Sequence, residues 1–126
     1  MRILLVDDEA ELVETLAERL ELRGIDADYA LSGEEALRLS RENIYDLAVV
    51  DMRMPGMSGL DIMKVISGEH PQMRFIFLTG HGSHDDCVAG REAGASAYLM
   101  KPVRLSVLLE SIQAALDGRE VEGDVC

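Results

Sequence analysis

Very little in this 126-residue chain is basic, aromatic or sulfhydryl. Twelve Lys and Arg stand against 24 Asp and Glu, a formal net charge of −12. Proteins that grip duplex DNA do so through a basic face that displaces counterions, so this balance argues against direct nucleic-acid binding. It argues equally against an anionic membrane surface. Metal cations and basic patches on partner proteins fit the charge better. Only five residues are aromatic, so the core has to be mostly aliphatic. Two cysteines, Cys87 and Cys126, stand in no CxxC or Cys/His ligand spacing, and two unbridged thiols in a reducing cytosol are expected. No apolar stretch approaches the roughly 20 residues that span a bilayer. Met1 leads into a strand-like run and then acids, unlike a secretory leader, so a cytoplasmic location is expected.

The length fits one domain, and 48% hydrophobic with 29% charged residues is the balance of a soluble globular one. Five short apolar runs, Ile3–Val6, Ile25–Ala30, Leu47–Val50, Phe75–Leu78 and Ala97–Met100, alternate with longer amphipathic stretches. The first, third and fourth runs are almost wholly apolar, the pattern of strands buried on both faces. Between them, Leu12, Val13, Leu16 and Leu20 recur at helical spacing, as do Leu105, Leu108, Leu109, Ile112 and Leu116. Ser32 with Glu35, Ser58 with Asp61 and Ser83 with Asp86 read as capping boxes that open the second, third and fourth helices. The expectation is a doubly wound (βα)5 α/β domain over residues 1–117, followed by a polar, flexible tail over 118–126.

Open α/β sheets bind ligands at the carboxyl ends of their strands. The residues there are Asp7-Asp8-Glu9 after the first strand, Asp51 after the third, Thr79 after the fourth and Lys101-Pro102 after the fifth. The second ends in Ala30-Leu31, which offers no chemistry. If the first and third strands are neighbours, Asp7, Asp8 and Asp51 converge. Carboxylates about 5 Å apart repel by roughly 3 kcal/mol per pair at an effective dielectric near 20, so a cation is called for. An oxygen-only ligand set suits Mg2+. Thr79 adds a hydroxyl and Lys101 a mobile charge, completing a cradle for a tetrahedral anion. The plainer readings make Asp8 a helix cap, Asp51 the start of a turn, Thr79 a loop residue and Lys101 a surface charge. They account for each residue singly and leave the coincidence of four strand ends unexplained. His81 and His84, with no third ligand near them, read as loop residues.

Val6-Asp7-Asp8-Glu9, the loop from Asp51 through Met52-Arg53-Met54-Pro55-Gly56-Met57-Ser58-Gly59, Leu78-Thr79-Gly80 and Tyr98-Leu99-Met100-Lys101-Pro102 together resemble the receiver domains of two-component response regulators. The likeness runs from Arg2 to about Leu116, and the wording of the Asp51 and Thr79 loops is most like receivers attached to sigma54-type activators. It implies a flavodoxin-like sheet of strand order 2-1-3-4-5 and a regulatory domain rather than an enzyme. Asp51 would accept a phosphoryl group from a sensor histidine kinase or histidine phosphotransfer protein. Asp8 and Asp51 would ligate Mg2+ directly, Asp7 mainly through water, and the Arg53 carbonyl would be a further ligand. Lys101 would pair with the phosphoryl group and Thr79 would bond one of its oxygens. Tyr98 would turn from exposed to buried on a face formed by the fourth helix, fifth strand and fifth helix, where an effector or a second copy docks. The Lys101–Pro102 bond is expected cis. Arg53 and His81 would flank the approach of water to the phosphoryl group.

Other readings are a phosphorylation-independent scaffold on the same fold and a metal-dependent phosphohydrolase. The second wants a carboxylate two residues beyond the nucleophile, where this chain has Arg53. A flavodoxin-like cofactor binder is opposed by Asp7-Asp8-Glu9, which would repel a bare phosphate.

Overall fold

Residues 1–80 and 84–118 are described by the structure, a computed structural model. Ten elements alternate: β1 (Arg2–Val6), α1 (Ala10–Glu21), β2 (Asp26–Ala30), α2 (Gly33–Glu42), β3 (Leu47–Asp51), α3 (Gly59–Glu69), β4 (Arg74–Thr79), α4 (His84–Glu92), β5 (Ala97–Met100) and α5 (Leu105–Leu116). The strands form one parallel sheet in the order β2-β1-β3-β4-β5, as expected.

The apolar runs of the central strands follow from this placement. Side chains alternate across a strand, so a strand covered on both faces needs apolar residues throughout. Ile3, Leu5, Leu47, Val49, Ile76 and Leu78 pack with Val13, Leu16 and Leu20 of α1 and Leu108 and Ile112 of α5. The intervening Leu4, Val6, Ala48, Val50, Phe75 and Phe77 pack on the other side with Ala36 of α2, Ile62 and Ile66 of α3 and Cys87 of α4. Phe77 is fully buried, and truncating such a side chain to Ala removes about 3–5 kcal/mol.

Two helix starts follow their capping signals. The Ser32 side chain accepts from the Glu35 N–H at 3.2 Å. Ser58 and Asp61 form the reciprocal box, with bonds of 3.2 and 3.4 Å. The third signal begins at Ser83, outside the described residues. Gly59, the first residue of α3, rests on the backbone of β3: a Cβ there would lie 2.5 Å from the Asp51 carbonyl oxygen and 2.9 Å from Met52 Cα. Only glycine lets the helix start approach the strand end this closely. The loop between them is thereby held over the end of the sheet.

One expectation is revised and one open reading is narrowed. Cys87, read as an unbridged thiol, is disulfide-bonded. Local spacing was the wrong guide, since a disulfide requires only that two Cα atoms lie within about 7 Å, whatever their separation in sequence. Tyr98, open to reading as core packing or as an aromatic that turns on the output face, is only 7% exposed here and belongs to the core with Phe77 and Met52. It is a β5 side chain on the same face as Phe77, its register partner, and α4 covers it. From Arg119 onward the expected tail, Cys126 included, lies outside the described residues. Among those described, no helix is long and apolar enough to cross a membrane.

Candidate functional site

Strand register alone brings the strand-end residues together. Val6 pairs with Val50, so Asp7 and Asp51 each follow on adjacent strands. Asp51 pairs with Leu78, and Thr79 with Met100, so Thr79 and Lys101 lie one step further across the sheet. Loop bonds hold the ends in line. The Asp7 N–H donates to the Ala30 carbonyl at 3.1 Å, the Met52 N–H to the Leu78 carbonyl at 2.8 Å and the Lys101 N–H to the Thr79 carbonyl at 2.7 Å. The Lys101–Pro102 bond is cis.

Asp7, Asp8 and Asp51 each offer a carboxylate oxygen, and the three oxygens lie within 4.8 Å of one another. Asp7 and Asp51 are 1% and 5% exposed, whereas Asp8 faces solvent. Lys101 Nζ sits 2.6 Å from Asp7 Oδ2 and 3.5 Å from Asp51 Oδ2. Asp7 Oδ1 accepts the Glu9 N–H at 2.9 Å, and Asp51 Oδ1 accepts the Arg53 N–H at 3.2 Å. Asp8 does not cap α1, because the N-cap is Glu9 and no side chain caps it. The plainer reading of Asp8 therefore loses its basis.

The electrostatics show the strain of the cluster. Burial pushes the Asp51 pKa above its ordinary value and Asp7 adds to it. The Arg53 N–H and Lys101 oppose this without cancelling it. Burial works against the Lys101 ammonium, but hydrogen bonds to Asp7 and Glu9 outweigh it and hold the Lys101 pKa above its ordinary value. One ammonium thus serves several carboxylates. The donor set is all oxygen, crowded and short of positive charge, which fits a hard divalent cation. Asp7, Asp8 and Asp51 form an acidic pocket able to hold a metal ion.

Two pairings escaped the sequence reading. Glu9 accepts from Lys101 Nζ at 2.9 Å across 92 residues of sequence. Asp86 accepts from Arg53 Nε at 2.6 Å across 33. No local pattern signals either pair. The Arg53 guanidinium, expected beside the path of attacking water, is paired with Asp86 of α4. His81 lies outside the described residues. Thr79 is 1% exposed at the end of β4. Burial raises the Tyr98 pKa, the Thr79 side chain opposes that rise, and the Asp86 and Arg53 charges act on the same hydroxyl in opposite senses. A groove of about 780 Å3 along the outer edge of β2, lined by Glu14, Glu18, Tyr29 and Arg38 among others, is separate from all of these residues.

Comparison with known proteins identifies the family and the fold. The family described as the response regulator receiver domain matches residues 3–113. The transcriptional regulatory protein CpxR of Escherichia coli is 43% identical over 91% of this chain and 49% of its own length. This chain spans about half the length of the first curated relatives it matches. A response regulator receiver domain protein from Clostridium thermocellum superposes with a TM-score of 0.87 at 37% identity, over 93% of this chain and 94% of that one. The beryllofluoride-activated NtrC4 receiver domain dimer gives 0.87 at 32%, over 93% and 97%. A Burkholderia pseudomallei response regulator bearing a phosphorylated aspartic acid and a calcium ion gives 0.80 at 34%, over 91% and 65%.

Proposed function

The chain belongs to the response regulator receiver domains, and from that membership we propose that it is a phosphorylation switch whose phosphoryl acceptor is Asp51. Receiver domains are regulatory elements of two-component systems rather than enzymes in the ordinary sense. The observation that carries the reading is the convergence of Asp51 with Asp7, Asp8, Thr79 and Lys101 at the carboxyl ends of β1, β3, β4 and β5.

The donor is a phosphohistidine on a sensor histidine kinase or a histidine phosphotransfer protein. An Asp51 carboxylate oxygen attacks phosphorus, the P–O bond forms as the P–N bond breaks, and the histidine nitrogen leaves with the electron pair and takes a proton. Asp8 and Asp51 would hold Mg2+ directly, Asp7 mainly through water, with the Arg53 carbonyl as a further oxygen. Bound there, Mg2+ supplies positive charge for the phosphoryl oxygens. Lys101 is already within 3.5 Å of Asp51, so it needs little travel to pair with the new anion. Thr79 donates its hydroxyl to a phosphoryl oxygen.

The output surface is the face of α4, β5 and α5. Met100 and Val107 are exposed there, beside a shallow groove of about 320 Å3 between β5 and the start of α5. An effector or a second copy of the chain would cover them. Residues 1–117 form the receiver unit, and the cytoplasm is its place of action. Acetyl phosphate with Mg2+ tests the whole reading. It should add one acid-stable, base-labile phosphoryl group, located on Asp51 by mass spectrometry and absent from Asp51→Asn. Full labelling of Asp51→Asn would refute the assignment.

A further inference from the structure

Arg53 touches two parts of the molecule at once. Its backbone N–H donates to Asp51 Oδ1 at 3.2 Å, inside the phosphoryl-acceptor site. Its side chain runs the other way, and Nε donates to Asp86 Oδ2 at 2.6 Å. Asp86 is the third residue of α4, and its side chain is only 18% exposed against 59% for Arg53. The acceptor is thus held by its surroundings, while the guanidinium reaches out to it.

Apart from the Cys87 disulfide, α4 offers little anchorage. α1 buries Val13, Leu16, Ala17 and Leu20, and α3 buries Gly59, Ile62, Met63 and Ile66. α4 buries only Cys87 and Gly90. Gly90 lies close over Tyr98, Phe77 and Met52; a Cβ there would meet their side chains at 3.1–3.3 Å. A helix with so small an apolar footprint depends more than its neighbours on individual ties, the disulfide and its polar bonds alike. The loop that follows Asp51 has its own weakness. Its far end is pinned by Gly59 on the β3 backbone; beyond the Met52 N–H bond to the Leu78 carbonyl, the ties at Arg53 among the described residues are its N–H bond to Asp51 and this ion pair.

We propose that Asp86 is a positioning residue for the metal and phosphoryl site, acting through Arg53: it fixes the loop after Asp51 in the orientation that presents the loop backbone to the site, and so ties α4 to that site directly. The inference rests on the reading of Asp51, Asp7 and Asp8 as the site for Mg2+ and phosphoryl. The tie runs over the surface between loop and helix, whereas the Thr79–Tyr98 connection runs through the core; the two meet at the Tyr98 hydroxyl, on which the Asp86 and Arg53 charges also act. A coupling free energy is reciprocal, so whatever Asp86 contributes to ligand binding, the ligand returns to the position of α4. The sign follows from two effects. Without its acceptor the loop must be ordered when the ligand binds, which weakens binding. The Arg53 guanidinium also loses its counter-charge while staying near the acidic cluster, which opposes a cation.

Asp86→Asn keeps the shape and removes the charge. Supports one shell out from metal ligands contribute 10- to 100-fold in affinity; Asp86 stands a step further out, and its partner is half exposed, so Mg2+ affinity should fall about fivefold. Backbone NMR titration with Mg2+ measures this without any turnover. Asp86→Glu should recover most of the loss. Asp85→Asn, which removes a neighbouring exposed charge that makes no bond to Arg53, sets the purely electrostatic background and should change affinity less than twofold. In the wild type the Arg53 Nε–H signal should be resolved and shifted downfield, should collapse in Asp86→Asn, and should move when Mg2+ and beryllofluoride are added. If wild type binds Mg2+ and Asp86→Asn binds it equally or more tightly, or if Asp85→Asn loses as much, the inference fails. If wild type itself does not bind Mg2+, the site reading fails first, and the Arg53 Nε–H signal still reports whether the ion pair exists.

Discussion

Around the amino ends of β1 and β3, Asp46 and, from β2, Asp28 accept bonds from donors the fold supplies. Asp46 accepts the Arg2 N–H at 2.8 Å. Asp28 Oδ2 accepts from Arg2 Nη2 at 2.9 Å and from the Tyr45 hydroxyl at 2.7 Å. The Arg2 guanidinium also lies 5.4 Å from the Tyr45 ring centroid. At the carboxyl ends of the same strands, Asp7, Asp8, Glu9 and Asp51 crowd around a single ammonium. The first cluster sets a guanidinium, a tyrosine hydroxyl and a backbone N–H against two carboxylates. The second carries uncompensated negative charge, with Asp7 and Asp51 buried, a cost that a cation and the chemistry it enables can offset. Acidic residues are equally plain in both places; the difference lies in whether the fold supplies their partners.

The sharpest break between the two clusters is chemical. Asp51→Asn should reduce labelling by acetyl phosphate to background, while Asp28→Asn should leave it intact. Phosphoryl incorporation followed by mass spectrometry decides between them. Labelling that survives in Asp51→Asn would erase the distinction.

Thermal melts separate the clusters next. Mg2+ at a hundred times its dissociation constant should stabilise the wild type by about 2.7 kcal/mol. In Asp8→Ala that gain should shrink towards zero, and the metal-free variant should melt at or above the wild type because a repulsive charge is gone. Asp28→Ala should instead lose about 1–2 kcal/mol with or without Mg2+, a figure discounted because Arg2 and Asp28 are partly exposed. A destabilised metal-free Asp8→Ala would mean that the carboxyl-end cluster needs no cation to offset its charge.

The two buried tyrosines extend the contrast. Tyr45→Phe removes a bond to Asp28 and should lower stability by about 1 kcal/mol with no effect on signalling. Tyr98 lies under α4, and its environment includes Thr79 and Asp86. Beryllofluoride with Mg2+ should shift NMR signals over Asp85–Ala93 and at Tyr98, and Thr79→Ala should diminish those shifts. Undiminished shifts in Thr79→Ala would leave the Arg53–Asp86 pair as the main route.

The smallest effect is a pH dependence. Burial and Asp7 raise the Asp51 pKa, so ionised Asp51 opposes folding of the metal-free protein at neutral pH. That cost is present above the raised folded value and disappears as pH falls through it towards 3.8. Asp51→Asn should therefore exceed the wild type in melting temperature at pH 7, with the gap narrowing on acidification. A constant gap would show that charge is not its cause.

The primary structure by itself determined the alternation of strands and helices, the sites of the Ser32 and Ser58 caps, and the four strand ends that carry Asp7, Asp8, Asp51, Thr79 and Lys101. These are local matters. Side-chain period, capping spacing and the polarity change at the end of an apolar run are all set within a few residues, and the parallel register then carries the strand ends into one place. Tertiary structure decided the rest. Glu9 meets Lys101 across 92 residues and Arg53 meets Asp86 across 33, because long side chains on separate loops choose partners only after the helices dock. Tyr98 is inward because α4 lies close enough at Gly90 to cover it, and Cys87 is bridged despite any local spacing. The residues at the site are thus written in short segments of sequence. The ties that hold them at their positions depend on packing between distant segments, which no local pattern encodes.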